Sequence, residues 1–373
     1  MTSRKILLII ACICLLTGTA WSAKDIVAQV VFLSGKVQVT RNNKTETLRI
    51  GAQLENFDRI KVDKTGNAEI RIDPKTGISA TLKLKAGTTL GLDISAMKSK
   101  QKGGVDLIAG SVECKVQKLT SGNSLDVRTG SANMGVRGTT FQVDVAAGGE
   151  VLLTTDEGRV ECTTSNGQTL YSEPGKVVQG TLEEEWANIP VAVSSLATFR
   201  SKWMVEKIDA FRADPSRALT QFSTKYEALK IKFVENYKEL LANRDVIRKW
   251  IKEEEAGNIG TMMERMNEKK ALIGPLFKIR ANLFMFERVY LRLSQISEML
   301  GTGVPAGTTE DGRTFQAFLE DFNDEKEELA ARVDDVNFII KLYAKRNDGG
   351  FPLETTGTTG GSGFFTDSKG FFN

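Results

Sequence analysis

The side chains best equipped for chemistry in this sequence are two thiols, Cys114 and Cys162, and an arginine, Arg137. The thiols sit in near-copies, Gly110-Ser111-Val112-Glu113-Cys114 and Gly158-Arg159-Val160-Glu161-Cys162, each cysteine two residues after a valine. Residues two apart share one face of a strand, so both thiols are expected to point inward with core residues. Adjacent strands lie about 4.8 Å apart, close to the Cα separation a disulfide tolerates. One expectation is therefore a Cys114–Cys162 bridge formed after export; the other is a pair of buried small hydrophobes. Arg137, between Val136 and Gly138, could anchor an anion, although pairing with a carboxylate or backbone carbonyls is the commoner use of such a residue.

What the sequence lacks narrows the field further. Its 373 residues include no histidine, the commonest general base and transition-metal ligand. Cys-His and Ser-His-Asp catalysis are excluded, and a structural zinc would need more cysteines than Cys114 and Cys162. Carboxylates alone can hydrolyse glycosides, but the acidic residues are spread over turns and helix faces with no pair forced together. The glycine spacings lack the following helix that a phosphate loop needs. No catalytic residue, metal or cofactor is expected. With 50 basic and 47 acidic residues the net charge is +3, which gives no electrostatic reason to expect nucleic acid or an anionic membrane as partner.

The elements that would position the thiols and Arg137 are strands. From Ile26 to Leu182 apolar residues alternate, as at Val37 and Val39, Ala68, Ile70 and Ile72, Leu82 and Leu84, and Val112, Cys114 and Val116. Turn signals such as Asn42-Asn43, Asp73-Pro74 and Asn166-Gly167 separate the runs. This punctuation predicts an all-β sandwich or stacked β-roll over residues 26–182. A Gly-x-Val unit at Gly35, Gly110 and Gly158 hints at layering.

Within this half, Ala132, Val136-Arg137-Gly138-Thr139, Phe141 and Val143 form an Ala-x-x-x-Val-Arg-Gly-Thr-x-Phe-x-Val string. The string resembles the signature of the FecR domain, the periplasmic domain of the iron-dicitrate sensor family. Weaker likeness at Gly66-Asn67-Ala68-Glu69-Ile70, Gly110-Ser111-Val112 and Gly158-Arg159-Val160 extends it to roughly residues 30 to 180. The resemblance implies a β-rich domain. Sensor members of that family carry a cytoplasmic segment that handles the sigma factor. Only Met1 to Lys5 precede the apolar run here, so the resemblance implies an exported variant without that segment.

That apolar run, Ile6 to Leu16, follows Arg4 and Lys5 and leads into small residues ending at Ser22 and Ala23. The order is that of a cleavable signal peptide within residues 1–23, cut after Ser22, with small Ala20 two residues before Ser22. The run is shorter than the roughly 20 residues of a transmembrane helix, so no integral span is expected after cleavage. An uncleaved anchor, or lipidation at Cys12 or Cys14, are the alternatives. The expected location is the periplasm or another exported compartment.

From Val191 the period becomes helical, and a helical domain is expected over 191–346. Asp214-Pro215 reads as an N-cap followed by proline at the first helical position. Leu219, Phe222, Tyr226, Leu229, Phe233, Tyr237, Leu240, Arg244, Ile247 and Ile251 keep near-heptad spacing, which predicts one helix from Pro215 to Glu255. A second is expected to start at Gly274-Pro275 and a third at Phe315, giving a coiled-coil-like hairpin or bundle. The aromatic residues on these seams read as core, Arg244 and Arg332 either as marks of a docking partner helix or equally as long stems reaching solvent, and Glu253-Glu254-Glu255 and Lys269-Lys270 as solvated charge. Residues 347–373 form a Gly/Thr-rich tail carrying Gly-Phe-Phe twice, at Phe364-Phe365 and Phe371-Phe372. It reads as a tethered docking motif or a tail that folds back.

The expected architecture is therefore α+β with separate parts, an all-β FecR-like half and a long-helix half. The expected function is non-enzymatic: an exported envelope protein whose β domain recognises a protein or ligand while its helices position or assemble it, with self-association through the helices. The alternative is a periplasmic signal-relay component tied to iron-chelate transport or sigma-factor regulation.

Overall fold

Alternating buried and outward side chains make strands, and seventeen form, β1 to β17, in a computed structural model that describes residues 26–347 except 43, 95–101, 118–123, 137, 147, 182–184 and 259. The leader and residues 348–373, with Phe364, Phe365, Phe371 and Phe372, lie outside the described residues, as does Arg137. The strands form two layers. One runs in the order β4 (Gln53–Glu55), β1 (Ile26–Ser34), β6 (Asn67–Ile72), β7 (Ala80–Leu84), β9 (Lys102–Val116), β12 (Thr140–Val145), β13 (Val151–Glu157), β16 (Lys176–Gly180), β17 (Ala187–Pro190). The other runs β3 (Lys44–Thr47), β2 (Val37–Arg41), β5 (Arg59–Val62), β8 (Thr89–Asp93), β9 again, β10 (Ser124–Arg128), β11 (Ala132–Val136), β14 (Val160–Thr164), β15 (Thr169–Ser172).

The 15-residue β9 belongs to both layers. Its first part pairs with β8 and, in parallel, with β10; its second part pairs with β7 and β12. The transition is at Gly110, whose φ is +86° and where a Cβ would sit 2.6 Å from the Thr88 Cα. Only glycine tolerates both conditions. One apolar core, from Val30 and Ile70 through Leu107 and Val112 to Phe141 and Val160, fills the space between the layers. The stacked β arrangement is that expected from the alternation.

The helices are α1 (Leu196–Ala213), α2 (Pro215–Leu241), α3 (Arg244–Glu255), α4 (Met262–Leu300) and α5 (Phe315–Lys345). Asp214 caps α2 by accepting from Arg217 N, with Pro215 just inside, as expected. Two boundaries differ from the expectation. The Pro215–Glu255 run breaks at Ala242-Asn243 into α2 and α3. Helix α4 begins not at Gly274-Pro275 but at Met262, under a capping box in which Thr261 and Glu264 bond reciprocally, and it continues through Pro275. Tyr226, Phe233, Phe286, Phe318 and Phe322 form the centre of a second apolar core, with Phe233 and Phe286 stacked at 4.4 Å. The charge runs are not simply solvated: Glu253 binds the buried Arg346 at 2.7 Å, Glu254 pairs with Lys345, and Lys269 donates to Asn347. Among the described residues no helix is long and apolar enough to cross a membrane.

Candidate functional site

The β core and the core of α2 to α5 stay separate: α1 packs on the β half through a third apolar cluster that includes Ala146, Leu152, Val177, Leu196 and Trp203, whereas α4 and α5 meet that half through a row of charged side chains. On the outer face of the second layer, register places Thr40, Arg59, Gly91, Asp106 and Arg128 in one transverse row across β2, β5, β8, β9 and β10. Helices α4 and α5 lie against this row. Arg280 of α4 and Arg128 of β10 both donate to Oδ2 of Asp93, at 3.0 and 2.9 Å, so one carboxylate oxygen ties the two bodies together. Arg128 also donates to Asp106 at 2.6 Å. Arg59 reaches Glu287 of α4 at 2.8 Å and Asp334 of α5 at 3.0 Å. Lys341 of α5 donates to Glu55 at 2.7 Å and to Asn42 at 3.0 Å. Arg41 holds Glu55 and Asp58 from the β side.

The turn carrying Glu55 and Asp58 also projects Phe57 toward the helical core, where it is partly buried. Phe57 has φ +66°, an uncommon conformation for a bulky residue, and is held there by a bond from its N–H to the Leu92 carbonyl at 2.8 Å. Between the bodies is a cavity of about 100 Å³, lined by Phe57, Arg59, Asp93, Arg280, Glu287 and Lys341 among others. That is well below the roughly 300 Å³ at which small-molecule sites begin.

Burial sets the protonation of these groups. Glu287, 6% exposed, is pushed up to about 7 by burial, with the Arg59 charge opposing the shift. Its Oε1 has no aligned hydrogen-bond donor despite the Arg59 contact. Burial also raises Glu55, but the hydrogen bond and charge of Lys341 overcome it, so Glu55 is held below the usual carboxylate range.

Beyond Glu287 on α4, Arg288 and Arg292 enter the β body with no carboxylate within ion-pair distance among the described residues. Arg288 donates to the Gly149 carbonyl at 3.4 Å; Arg292 donates to Val145 O at 3.1 Å and to Gln295 at 2.6 Å. Burial lowers them to about 10 and about 9, the Arg288 charge adding to the effect on Arg292. The Arg288 guanidinium fills the place of a side chain at Gly130, where a Cβ would lie 1.4 Å from its Nη1.

The residues singled out from sequence have other places. The chain leaves β11 at Val136 in one layer and enters β12 at Thr140 in the other, while Arg137 lies outside the described residues. Ala132, Val136, Phe141 and Val143 are buried, and the Thr139 carbonyl accepts from Val116 N at 2.9 Å. This part of the string builds the corner of the fold. Cys114 aligns with Phe141 and Leu82, and Cys162 with Met134 and Leu170, so their strands are not neighbours. Both are free thiols, and the bridge expected from strand adjacency is not formed. Burial pushes Cys162 up to about 12 and Cys114 higher still, which makes both poor nucleophiles. Arg244 is exposed, as a stem reaching solvent would be, and Arg332 lies over the Tyr237 ring within the bundle; neither belongs to the seam between the β half and α4 and α5.

Sequence reasoning missed the seam because it followed only the apolar stripe of α4. A second stripe, Arg280, Phe284, Glu287, Arg288 and Arg292, recurs at three- and four-residue spacing beside it. Arginine and glutamate recurring with a helical period next to a buried stripe were the available signal.

Compared with known proteins, residues 58–161 match the family model described as FecR protein. The match contains the string from Ala132 to Val143. No curated protein matches the chain. Two crystal structures of a candidate anti-sigma factor from Parabacteroides distasonis ATCC 8503 are similar at 16% identity, with TM-scores of 0.32 and 0.31. Each similarity covers 38% of this chain and 63% of the other, so the chain spans less than two thirds of those proteins.

Proposed function

We propose, with the FecR match over residues 58–161 as the starting point, that the protein is a non-enzymatic interaction protein of the cell envelope. The β body recognises a protein or ligand, and the helical body positions it. The observation that carries this reading is the ionic seam by which α4 and α5 meet the β body, the two sides of that seam keeping separate apolar cores while α1 stays anchored to the β body by its own apolar cluster. Polar interfaces between domains resemble transient protein interfaces, for which relative motion is the default expectation. Parting at this seam exposes ion pairs, and it returns Arg288 and Arg292 to water. A partner that binds one body better when the other is released shifts the balance between docked and parted forms.

Crosslinking in intact cells of the native host, read by mass spectrometry, tests the reading. Wild-type protein is expected to capture a discrete envelope protein, in a yield that changes when Arg280→Gln weakens the seam. Identical background proteins from both, or turnover of a substrate by the purified chain, overturns it. The FecR match also favours a narrower second reading, periplasmic relay toward sigma-factor regulation or iron-chelate transport. Deleting the gene and measuring transcription of its neighbours separates the two: unchanged transcription leaves only the first.

A further inference from the structure

Met262 and Met263 are the most exposed large apolar side chains among the described residues, at 80% and 75%, and Met266 joins them at 51%. All three lie in the first turns of α4, where a helical repeat puts Met262 and Met266 one above the other with Met263 beside them. Lys269 follows on nearly the same side, about 60° round the helix from Met266. Its ammonium donates to the Asn347 side chain at 2.9 Å. The chain therefore enters its Gly/Thr-rich stretch beside this face of α4, about 10 Å along the axis from Met262.

Residues 348–363 separate Asn347 from Phe364. A glycine-rich coil of that length spans roughly 20–24 Å, more than the distance to be covered. Tethering at this range supplies an effective concentration of order millimolar. Phenylalanine rings and methionine sulfur make favourable contacts, and the flexible thioether adapts to the ring presented. We propose that the segment bearing Phe364, Phe365, Phe371 and Phe372 docks on Met262, Met263 and Met266 of the same chain. The docked tail covers this end of the helical body, and a partner for either surface must displace it.

The test is methionine oxidation in the full chain. Wild-type protein and a variant with Phe364→Ser, Phe365→Ser, Phe371→Ser and Phe372→Ser are exposed to dilute hydrogen peroxide. Sulfoxide is then followed at each methionine by peptide mass spectrometry. A face covered four-fifths of the time oxidises about fivefold more slowly, so Met262, Met263 and Met266 are expected to react about fivefold faster in the variant. Met299, 42% exposed near the other end of α4, is the internal control and is expected to react equally in both. Equal rates at the three methionines overturn the proposal. Protection that grows with protein concentration also overturns it, since the occupant would then be the tail of a second copy.

Discussion

Replacing Glu287 by glutamine offers the sharpest test of the seam. The carboxyl is 6% exposed, faces Arg59 with Asp106 and Asp334 in range, and is pushed by burial from 4.5 to about 7. The folded state therefore binds a proton that the unfolded chain has already released between those two values. Stability from this site is fully present below about pH 4.5 and is lost as pH rises through about 7. At 1.36 kcal/mol per pKa unit, a displacement of this size corresponds to about 3 kcal/mol. Glutamine mimics the protonated acid and cannot ionise. Urea unfolding of wild type and Glu287→Gln, at intervals from pH 4 to pH 8, should give equal stabilities near pH 4. The variant should gain as pH rises and level off at about 3 kcal/mol above pH 7. A difference that does not vary with pH, or a variant less stable at pH 8, would mean that Arg59 holds Glu287 ionised throughout and that burial is not the dominant influence.

Three other outcomes are expected. Gly130→Ala puts a methyl group into the Arg288 guanidinium and should cost about 1–3 kcal/mol in urea unfolding; adding Arg288→Ala should recover part of that loss, and strictly additive effects would refute the contact. Lys341→Ala removes one partner of a buried pair and should cost about 3 kcal/mol, whereas Lys64→Ala, whose pair with Glu298 is exposed, should cost under about 1 kcal/mol. Native protein should give almost no reaction with a thiol reagent, and Cys114 and Cys162 should both titrate in denaturant without reductant; thiols that appear only after reduction would show a bridge.

The sequence made the strands, the helical half and the FecR-like string legible because each depends on local periodicity or a short motif. Val136, Phe141 and Val143 are buried in strands as their spacing requires. Gly274-Pro275 has the local look of a helix opening, yet α4 starts at the Thr261–Glu264 capping box upstream and carries Pro275 in its interior. The seam could not be read in the same way. Arg59 and Asp334, or Glu55 and Lys341, are hundreds of residues apart, and only strand register and helix docking bring them together. Near-identical pieces were misleading for a related reason: Gly110 to Cys114 and Gly158 to Cys162 look like neighbours but pair with different strands.

Strand β9 bears on how the gene tolerates change. Because one uninterrupted segment supplies ladders to both layers, removing a single residue before Gly110 would turn every side chain on one arm to the wrong face while the other arm stayed aligned. Insertions and deletions should thus be absent from this strand but acceptable at a tip such as Asn166-Gly167, where nothing lies within 4 Å of an added Cβ on Gly167. A scan of single-codon deletions scored for soluble expression would show that contrast as a gap over one stretch of the coding sequence.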